Sequence, residues 1–381
     1  MPPVTIDGTS GITTPMYGGA ISSNAVTPVV GMKNKIINGA CVIDQRNAGA
    51  SVTITNTSAI TYVLDRWFGY GSAASKFSIQ QDAGAVTPPA GFTDYLGVTS
   101  LAATSVGSSD FYFIGQYLEG FNTADLGFGT ASAKTVTLSF WVRSSLTGTF
   151  GGSLENSANN RSYPFNYTIS AANTWEQKSI TIAGDTTGTW LTTNAIGIRL
   201  WFSLGIGSTY SGTAGAWSGA DYRSATGATS VVGTNGATFY ITGVQLEVGS
   251  TATSFDYRPY GTELALCQRY YFTQDSGGTQ YYPFGQPTVV QTGSGTTACR
   301  MVVAYPVSMR SAPTITSSSL SLFGFFEFSF SGNPTTISVD PAAKELCLVY
   351  FANGSGGTAF TVGRLLANSA TRTFIGYSAE L

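Results

Sequence analysis

Short stretches in which apolar and polar residues alternate recur along most of the chain, and Gly-rich turns separate them. The clearest are residues 135–143, 163–169 and 195–204. Successive side chains of a strand point to opposite faces of a sheet, so each stretch predicts a strand with one buried face. The predicted buried residues are Val136, Leu138, Phe140 and Val142, then Tyr163, Phe165, Tyr167 and Ile169, and finally Ile196, Ile198, Leu200, Phe202 and Leu204. About ten such strands, with short turns and no helical spacers, predict an all-β fold built as an antiparallel β-sandwich.

The alternation changes phase within residues 238–247. The apolar positions move from Phe239 and Ile241 to Val244 and Leu246. One extra residue in a strand produces such a slip, and Gly tolerates the backbone conformation of a bulge. The sequence therefore predicts a β-bulge at Gly243.

The composition agrees with a β-rich globular chain. Gly, Ser and Thr make up more than a third of the residues, and none of the three is a strong helix former. Hydrophobic residues still account for 43% of the chain and aromatic residues for 13%. This apolar content is enough to bury a core, which argues against intrinsic disorder.

Charge and residue usage exclude several classes of function. The 18 basic and 20 acidic side chains give a net charge of −2, so the chain has no basic surplus for binding nucleic acid or an anionic membrane. His is absent, which excludes Ser-His-Asp and Cys-His catalysis and His-ligated metal sites.

No leader peptide and no apolar run of membrane-spanning length stands out, so we expect a soluble protein without membrane insertion. Well-separated cysteines favour reduced thiols in a core over a zinc ribbon or a disulfide scaffold; these are Cys41, Cys267, Cys299 and Cys347.

The distribution of Pro and Trp predicts four segments. The first contains four Pro residues and no sustained alternation, which predicts an extended arm. All six Trp residues lie in the second segment, whereas the last is rich in Phe and Tyr. The connector between them fits a helical turn and an extended crossover equally well. The predicted segments are an N-terminal arm over 1–32, a β-sandwich domain over 33–258, a connector over 259–272 and a second, smaller β-sandwich domain over 273–381.

Several longer motifs occur in one order between residues 34 and 272. They are NKIINGACVIDQRNAGAS at 34–51, YVLDRWFGYGS at 62–72, FSIQQ at 77–81, EGFNTADLGFGTASAKTVTLSFWVRSSLTGTF at 119–150, TISAANTWEQKSITIAGDTTGTW at 168–190, GTAGAWSG at 212–219 and GATFYITGVQLEVGSTATSFDYRPYGTELALCQRYYF at 236–272. Together they resemble a family of bacteriophage tail-fibre and related virion proteins, which carry a jelly-roll module similar to carbohydrate-binding modules. The N-terminal TIDGTSGITTPMYGG resembles short segments that attach such fibres to a tail or capsid.

The resemblance implies a jelly-roll sandwich and a function in host attachment. It implies a homotrimeric virion fibre subunit that contacts other virion proteins through residues 1–32 and binds host cell-surface polysaccharide without catalysis. Residues 273–381 would then lie far from the virion and meet the host. The expected location is the virion, after assembly in the host cytoplasm. Two alternatives stay open: a structural or decoration protein of tail or capsid that binds no receptor, and a polysaccharide depolymerase.

Aromatic residues beside polar groups are the candidates for sugar binding, because flat rings pack on pyranose faces while polar groups satisfy the hydroxyls. Trp141 with Arg143, and Trp201 with Arg199, lie on the outward phases of two predicted strands. If the two strands share a sheet, they form one aromatic and basic stripe. Packing against a loop, the end of a sandwich or a neighbouring subunit is the alternative for every candidate. The remaining candidates come from predicted loops and turns and are Trp217, Tyr222, Tyr281 and Tyr282.

The sequence offers little support for a depolymerase or a metal site. Glycoside hydrolysis uses two carboxyl groups about 5 to 9 Å apart. No two of the loop carboxylates share a predicted strand face, and Asp125 is expected to cap a helical turn. Asp44 and Glu247 are calcium candidates, but ion pairs with Arg46 or Arg258 explain them better than a calcium site does. We therefore predict no enzymatic activity, no catalytic residue, no metal and no cofactor. The loop carboxylates are Asp110, Glu119, Asp125, Asp185 and Asp221.

Residues 321–330, SLFGFFEFSF, carry an alternating set of Phe residues at 326, 328 and 330. The pattern predicts a strand. An exposed edge strand of this hydrophobicity is prone to aggregation, so we expect the strand to be central or covered.

Overall fold

The computed structural model describes residues 6–7, 11–12, 32–285, 288–291, 297–326, 334–353, 364–367 and 370–381. The chain divides into two compact units, Met1–Lys33 and Asn34–Leu381. In the first unit, strand β1 (Ile6–Asp7) pairs with strand β2 (Gly11–Ile12) in antiparallel orientation.

The regular secondary structure in the N-terminal part of the second unit consists almost entirely of strands. One short helix, α1 (Gly120–Thr123), interrupts them and continues into a 3-10 turn over Ala124–Leu126. Two other 3-10 turns span Ala83–Ala85 and Ser208–Tyr210. The strands are β3 (Val52–Thr53), β4 (Thr61–Leu64), β5 (Trp67–Gly71), β6 (Phe77–Gln81), β7 (Leu96–Ser100), β8 (Phe111–Glu119), β9 (Val136–Ser144), β10 (Gly148–Glu155), β11 (Ser162–Ile169), β12 (Glu176–Ile182), β13 (Ile196–Ile206), β14 (Ser211–Gly212), β15 (Ser224–Ala225) and β16 (Thr238–Val248).

Twelve of these strands form two six-stranded antiparallel sheets. Sheet 1 has the order β12-β9-β16-β7-β6-β3, and sheet 2 has the order β11-β10-β13-β8-β5-β4. The chain crosses repeatedly between the sheets, for example from β9 in sheet 1 to β10 and β11 in sheet 2 and back to β12. This arrangement is a jelly-roll β-sandwich, and it confirms the predicted fold class.

The core lies between the inner faces of the two sheets. Phe140 from sheet 1 packs against Phe202 from sheet 2, with ring centroids 5.1 Å apart. The inward residues predicted for β9, β11 and β13 belong to this core, apart from the partly buried Ile196 at the start of β13. Burial of each large apolar side chain contributes roughly 1.5–3 kcal/mol, so the alternating pattern carries most of the driving force for this topology.

The predicted bulge is confirmed at Gly243. The pairing of β16 with β9 shifts register between Thr242 and Gln245. Gly243 has a φ of +61°, in the left-handed region that favours Gly. The bulge therefore lets both halves of β16 direct their apolar residues into the core.

The connector of the predicted domain scheme contains a helix. Helix α2 (Tyr260–Gln268) follows Pro259, and it resolves the open choice between a helix and an extended crossover.

The C-terminal strands form three small antiparallel sheets of order β17-β26-β21, β18-β25-β22 and β19-β20-β24-β23. These strands are β17 (Tyr271–Asp275), β18 (Pro283–Gly285), β19 (Thr288–Gln291), β20 (Thr297–Ala304), β21 (Thr314–Ser317), β22 (Phe323–Phe326), β23 (Thr336–Ala342), β24 (Leu346–Asn353), β25 (Arg364–Ala367) and β26 (Phe374–Ser378).

The C-terminal strands bury a core of their own, which includes Met309, Phe351 and Tyr377. Phe323 is buried at the start of β22, in agreement with the predicted strand. The positions 328 and 330 of the alternating Phe set lie outside the described residues. Three cysteines are buried free thiols, as predicted for them; these are Cys41, Cys267 and Cys347.

Buried ion pairs join the sandwich to the C-terminal strands. Glu380 accepts hydrogen bonds from Arg66 and from Arg46, the latter at 2.7 Å. Directly after α2, Arg269 donates two hydrogen bonds to Glu119 at 2.6 and 2.9 Å. Residues more than 300 positions apart in the sequence are therefore joined by charged hydrogen bonds at one buried junction.

None of the helices within the described part of the chain is long and apolar enough to cross a membrane.

Candidate functional site

The first part of the segment between β13 and β16, residues 207–226, is a long loop that includes the two-residue strands β14 and β15 and lies along the edge strand β11 of sheet 2. Ser162 in β11 and Ser218 exchange backbone hydrogen bonds of 3.0 and 2.8 Å. The amide of Gly215 donates to the carbonyl oxygen of Pro164 at 2.9 Å. The loop therefore occupies backbone groups of β11 that an unprotected edge strand would offer to other chains.

A cavity of about 430 Å³ opens within this loop. Two aromatic side chains and four hydroxyl-bearing side chains contribute to its wall. Its volume is in the range of sites for small organic ligands, roughly 300–1,000 Å³. We call it the loop cavity, and its lining residues are Ser211, Gly212, Thr213, Ala216, Trp217, Ser218, Tyr222 and Thr226.

The ring of Trp217 is fixed by its neighbours. Its indole N–H donates to the carbonyl oxygen of Ala183, just after β12, at 2.7 Å. Three aromatic rings surround it with centroids 5.2 to 5.8 Å away, from Phe128, Tyr163 and Trp190. The side chain is only partly buried, so a rigid aromatic surface remains beside the cavity.

The ring of Tyr222 is placed by a close approach to Gly212. A Cβ atom added at Gly212 would lie 2.2 Å from the Tyr222 ring, so no larger residue fits there without moving the ring. The backbone N–H of Tyr222 also lies 3.2 Å from the hydroxyl of Ser162 in β11. The predicted loop candidates Trp217 and Tyr222 are thus brought together at one cavity.

An ion pair supports the wall behind Trp217. Arg161 donates to both carboxylate oxygens of Asp185, at 2.8 and 2.6 Å, and its guanidinium carbon lies 6.0 Å from the Trp217 ring centroid. Burial acts to raise the pKa of Asp185, but the hydrogen bonds from Arg161 and Thr187 outweigh it and lower the pKa. Asp185 therefore stays ionised and serves to hold the loop wall.

A second ion pair closes the other end of the loop. Arg223 donates to the two carboxylate oxygens of Asp221 at 2.9 and 2.7 Å. Its guanidinium carbon lies 4.4 Å from the ring centroid of Tyr210 and 4.8 Å from that of Phe111 in β8. A guanidinium at these distances interacts favourably with both rings. Arg223 therefore fastens the loop onto the outer face of sheet 2.

The carboxyl group of Glu155, at the end of β10, is fully buried beside this ion pair. It accepts a hydrogen bond of 3.0 Å from the indole N–H of Trp201, and Arg199 lies 3.8 Å away. Burial raises the pKa of Glu155 to about 8, and the charge of Asp221 adds to the rise.

The predicted stripe of two Trp-Arg pairs does not form, because the two strands lie in different sheets. Trp141 and Arg143 are on β9 in sheet 1, whereas Arg199 and Trp201 are on β13 in sheet 2. Trp201 does lie on the outer face of its sheet, as its phase predicts, but only 3% of it is exposed. Aromatic side chains on the neighbouring strands β5 and β8, such as Phe68 and Phe113, pack around it.

Trp141 and Arg143 are partly exposed on the outer face of sheet 1. Trp141 and Phe92 meet above the bulge: a Cβ atom at Gly243 would lie 3.2 Å from Trp141 and 2.5 Å from Phe92. Phe92 continues into a cluster with Phe255 and Tyr257, in which the ring centroids are 4.9 to 5.5 Å apart. We call these four residues, Trp141, Phe92, Phe255 and Tyr257, the aromatic strip.

Tyr281 and Tyr282 are exposed to 57% and 37% and lie before β18 in the C-terminal part of the chain. The backbone N–H of Tyr281 donates to the carbonyl oxygen of Ala367 in β25 at 2.8 Å. The Tyr282 ring packs edge to face on Phe284, 5.5 Å away. Neither residue lines the loop cavity.

The carboxylates considered for catalysis have local partners. Asp110 accepts from the hydroxyl of Ser72 at 2.9 Å, and Glu119 pairs with Arg269. Asp125 lies inside the 3-10 turn instead of capping a helical turn, and it pairs with Lys35 at 2.8 Å.

The calcium candidates have other roles. Asp44 accepts hydrogen bonds from three backbone N–H groups, of Arg46, Asn47 and Gly49, and so stabilises its own turn. The side chain of Arg46 pairs with Glu380 instead of Asp44. Arg258 pairs with Glu263 and Asp256, and Glu247 accepts from Thr253. Within the described ranges, no group of three His, Cys, Asp or Glu side chains is arranged to hold a metal ion.

Several residues of these sites were not predicted from the sequence. Glu155 ends a strand and gives no sequence signal, because its partners Trp201 and Arg199 are distant along the chain. Phe92, Phe255 and Tyr257 come from two loops that are distant along the chain, and no sequence pattern connects them. The sequence placed Trp217 and Tyr222 in a predicted loop, but it did not show that hydroxyl side chains around them form the wall of a cavity.

No protein-family model matches the sequence, and no curated protein matches it. Solved structures do show similarity, over a limited part of the chain. One is the enzymatically active domain of tailspike protein 4 of bacteriophage CBA120, with 10% identity and a TM-score of 0.30. That match covers 57% of this chain and 22% of the tailspike chain, so this chain spans less than two thirds of that protein's length.

Two further similar structures are small carbohydrate-binding domains. The family 11 carbohydrate-binding module from Clostridium thermocellum, in complex with a β-1,3-1,4-mixed-linked tetrasaccharide, has 11% identity and a TM-score of 0.27. That match covers 53% of this chain and 98% of the module. The N-terminal cellulose-binding domain of β-1,4-glucanase C from Cellulomonas fimi has 16% identity and a TM-score of 0.21, over 42% of this chain and 82% of the domain.

Proposed function

We propose that this protein is a virion fibre subunit that binds host-surface glycan without catalysis, and that the loop cavity is its sugar-binding site. The loop cavity is the observation that carries the proposal. It combines two positioned aromatic rings, Trp217 and Tyr222, with hydroxyl side chains in a space of about 430 Å³. Sugar rings need this combination of flat apolar faces and hydrogen-bonding groups.

The rigidity of the cavity wall supports binding. Trp217 is held by a hydrogen bond and three rings, and Tyr222 by Gly212 and Ser162. Fixed side chains lose little conformational entropy when a ligand binds. A preformed site of this kind suits a soluble fibre that must recognise a surface polysaccharide on contact.

Catalysis is left out of the proposal because the cavity has no suitable pair of carboxyl groups in its lining. Asp221, which directly precedes the cavity residue Tyr222, is held by Arg223. Attachment to a tail or capsid through residues 1–32, assembly as a homotrimer and presentation of residues 273–381 to the host are parts of the same proposal. They rest on the sequence resemblance.

A second candidate function is packing in the virion without receptor binding. The aromatic strip favours it, since Tyr257 is 58% exposed and sits among three other aromatic residues on the face of sheet 1. Exposed aromatic clusters are frequent at protein interfaces. Under this alternative the sandwich contacts other virion proteins and the loop cavity stays without a ligand.

Affinity gel electrophoresis separates the two functions. The probes are soluble polysaccharides embedded in native gels: β-glucans, galactans, xylans and bacterial capsular polysaccharides. We expect at least one to retard the wild-type protein, and W217A or Y222A to weaken that binding at least about tenfold, which corresponds to 1.4 kcal/mol. T213V, which removes one exposed hydroxyl of the cavity, serves as a milder variant if the aromatic substitutions disturb folding.

The matched control is W175A. Trp175 is also partly buried and also donates its indole N–H to a backbone carbonyl, that of Thr87, but it does not line the loop cavity. Glycan binding fails as a function if the folded wild-type protein binds neither the probes nor whole bacterial cells. The loop cavity fails as the site if W217A and Y222A bind like W175A. New reducing ends in the polysaccharide would show the depolymerase activity that the proposal leaves out.

A further inference from the structure

A second partly buried indole, that of Trp190, lies next to the loop cavity. Its ring centroid is 5.4 Å from that of Trp217, and the two ring planes meet at 80°. Trp190 belongs to the connection between β12 and β13, in which Thr186 and Thr189 are exposed. This connection therefore places an aromatic ring beside exposed hydroxyl-bearing residues, the combination that sugar rings need.

The two indoles are anchored on the same short segment after β12. The N–H of Trp217 donates to the carbonyl oxygen of Ala183 at 2.7 Å. The N–H of Trp190 donates to the carboxylate of Asp185 and to the carbonyl oxygen of Thr187, at 3.2 Å each. Because the polar edge of each ring is bound to the protein, the apolar parts of the rings are what they offer to a ligand.

The ion pair of Arg161 and Asp185 links the two rings. Asp185 is 2% exposed, and it accepts hydrogen bonds from both Arg161 and Trp190. The side chain of Arg161 lies against Gly188, where an added Cβ atom would be 2.5 Å from it, and its guanidinium carbon is 6.0 Å from the Trp217 ring centroid. The relative position of the rings is therefore fixed before a ligand arrives, which lowers the entropic cost of binding.

We propose that Trp190, Thr186 and Thr189 form a second sugar subsite next to the loop cavity, so that the protein binds an oligosaccharide segment that spans both. This proposal rests on the glycan-binding function proposed for the loop cavity. Two rings that lie 5.4 Å apart can contact neighbouring sugars of one chain. Because these sugars are covalently linked, the second contact adds affinity without a second loss of translational freedom.

Packing on the core is the other role open to Trp190. Its ring centroid lies 5.1 Å from that of Phe128, which belongs to the core of the sandwich. A role in packing alone predicts that loss of the ring disturbs Trp217 and weakens the binding of every saccharide equally. A subsite predicts that only saccharides long enough to reach Trp190 are affected.

Isothermal titration calorimetry with saccharides of increasing length separates these two roles. The probes are oligosaccharides of two to six sugars released from the polysaccharide that retards the wild-type protein in the affinity gel. We expect the wild type to bind the hexasaccharide at least about tenfold more tightly than the disaccharide. W190A should bind the hexasaccharide about tenfold more weakly than the wild type does and the disaccharide equally well, whereas W217A should weaken both.

Two variants control for other effects of the substitution. W190F keeps a flat ring at the subsite and should restore most of the hexasaccharide affinity, and W175A should bind both saccharides like the wild type. A longer chain also offers more registers to a single subsite, but W190A retains that gain, so its difference from the wild type reports the second subsite. T186V combined with T189V changes two exposed residues at nearly constant volume, and it should weaken only the hexasaccharide, by a few-fold, if W190A disturbs folding.

Three results would overturn the second subsite. They are a wild-type affinity that does not rise beyond the disaccharide, a W190A variant that binds the hexasaccharide like the wild type, and equal losses for both saccharides in W190A. In each case sugar binding at the loop cavity stands. If the wild-type protein binds none of the polysaccharides and no bacterial cells, the glycan-binding function is wrong, and the second subsite is wrong with it.

Discussion

Among single residues, Glu155 is the one whose ionisation acts most directly on folding. Its pKa is about 8 in the folded protein, against 4.5 for an ordinary Glu, because burial and Asp221 disfavour the charged form. Between these two values the folded state binds more protons than the unfolded state, so the free energy of unfolding falls as pH rises. The stability that the protonated Glu155 contributes is fully present below about pH 4.5, and it is lost as the pH rises through about 8.

We therefore expect the wild type to lose several kcal/mol of stability between pH 5.5 and pH 8.5 from this residue, at about 1.4 kcal/mol per pH unit at most. E155Q should show a shallower dependence and be the more stable protein at pH 8.5. Urea unfolding at a series of pH values measures this directly. The exposed-site variant E345Q should follow the wild type, and parallel curves for wild type and E155Q would contradict the pKa shift.

The sequence located some site residues and missed others for a physical reason. Trp217 and Tyr222 stood out because a Gly- and Ser-rich loop makes few demands on a core, so large aromatic residues there indicated a surface role. Trp201 looked equally promising from its outward phase on β13. Periodicity gives only the face of a strand, and it does not show that Phe68 and Phe113 on neighbouring strands cover that face.

At the level of elements, the bulge in β16 connects the core with the aromatic strip. Gly243 has a left-handed φ of +61°, and an added Cβ would lie 2.5 Å from Phe92. G243A should therefore suffer both backbone strain and a clash, and lower the free energy of unfolding by about 2–4 kcal/mol. Thermal or urea unfolding provides the measurement.

Gly236 offers the matched control for that substitution. It also has a left-handed φ, of +74°, but an added Cβ would meet no atom within 4 Å. G236A should therefore lower the free energy of unfolding only through backbone strain, by about 1–2 kcal/mol. Equal losses in the two variants would mean that Phe92 does not pack on the bulge, and the aromatic strip would need another arrangement.

Strand faces and the bulge were predictable because a two-residue period records burial directly in the sequence. The partners of each strand were not, since neighbours in a jelly roll come from distant positions, such as β16 beside β9 and β7. This is why Trp141 and Trp201 were considered for one stripe, although β9 and β13 belong to opposite sheets. The position of the 207–226 loop along β11 depends on the same unpredicted strand order.

At the level of the whole chain, the junction around Glu380 holds the C-terminal strands against the sandwich. Arg66 is 1% exposed and donates to Glu380, so E380Q leaves a buried guanidinium with a weakened partner. Loss of one member of a buried ion pair costs about 3–5 kcal/mol. We expect E380Q to be strongly destabilised in urea, with faster hydrogen exchange in β26 and α2 than in β9.

The double substitution R66M with E380L is the control for this prediction. It removes the charges of Arg66 and Glu380 and fills similar volume, which is often neutral or stabilising for a buried pair. The stability lost at Arg66 should therefore return, whereas Arg46, the second partner of Glu380, still lacks its carboxylate. If the double variant is as unstable as E380Q, shape at the junction matters more than charge pairing.

Oligomerisation is the last property to test, because the aromatic strip and the scarcity of charge both point to surface that is covered in the assembled protein. Charged residues are 10% of the chain, and the strip exposes aromatic rings that would be better shielded from water. We expect the full chain to form a homotrimer at micromolar concentration, with three times the monomer mass of 39.8 kDa in multi-angle light scattering. F92S combined with Y257S should dissociate the trimer if the strip is the subunit interface, whereas Y281S, which removes an exposed aromatic ring outside the strip, should leave it intact. A monomeric wild type would contradict the trimer, and a trimer that survives F92S/Y257S would leave the strip free for another virion protein.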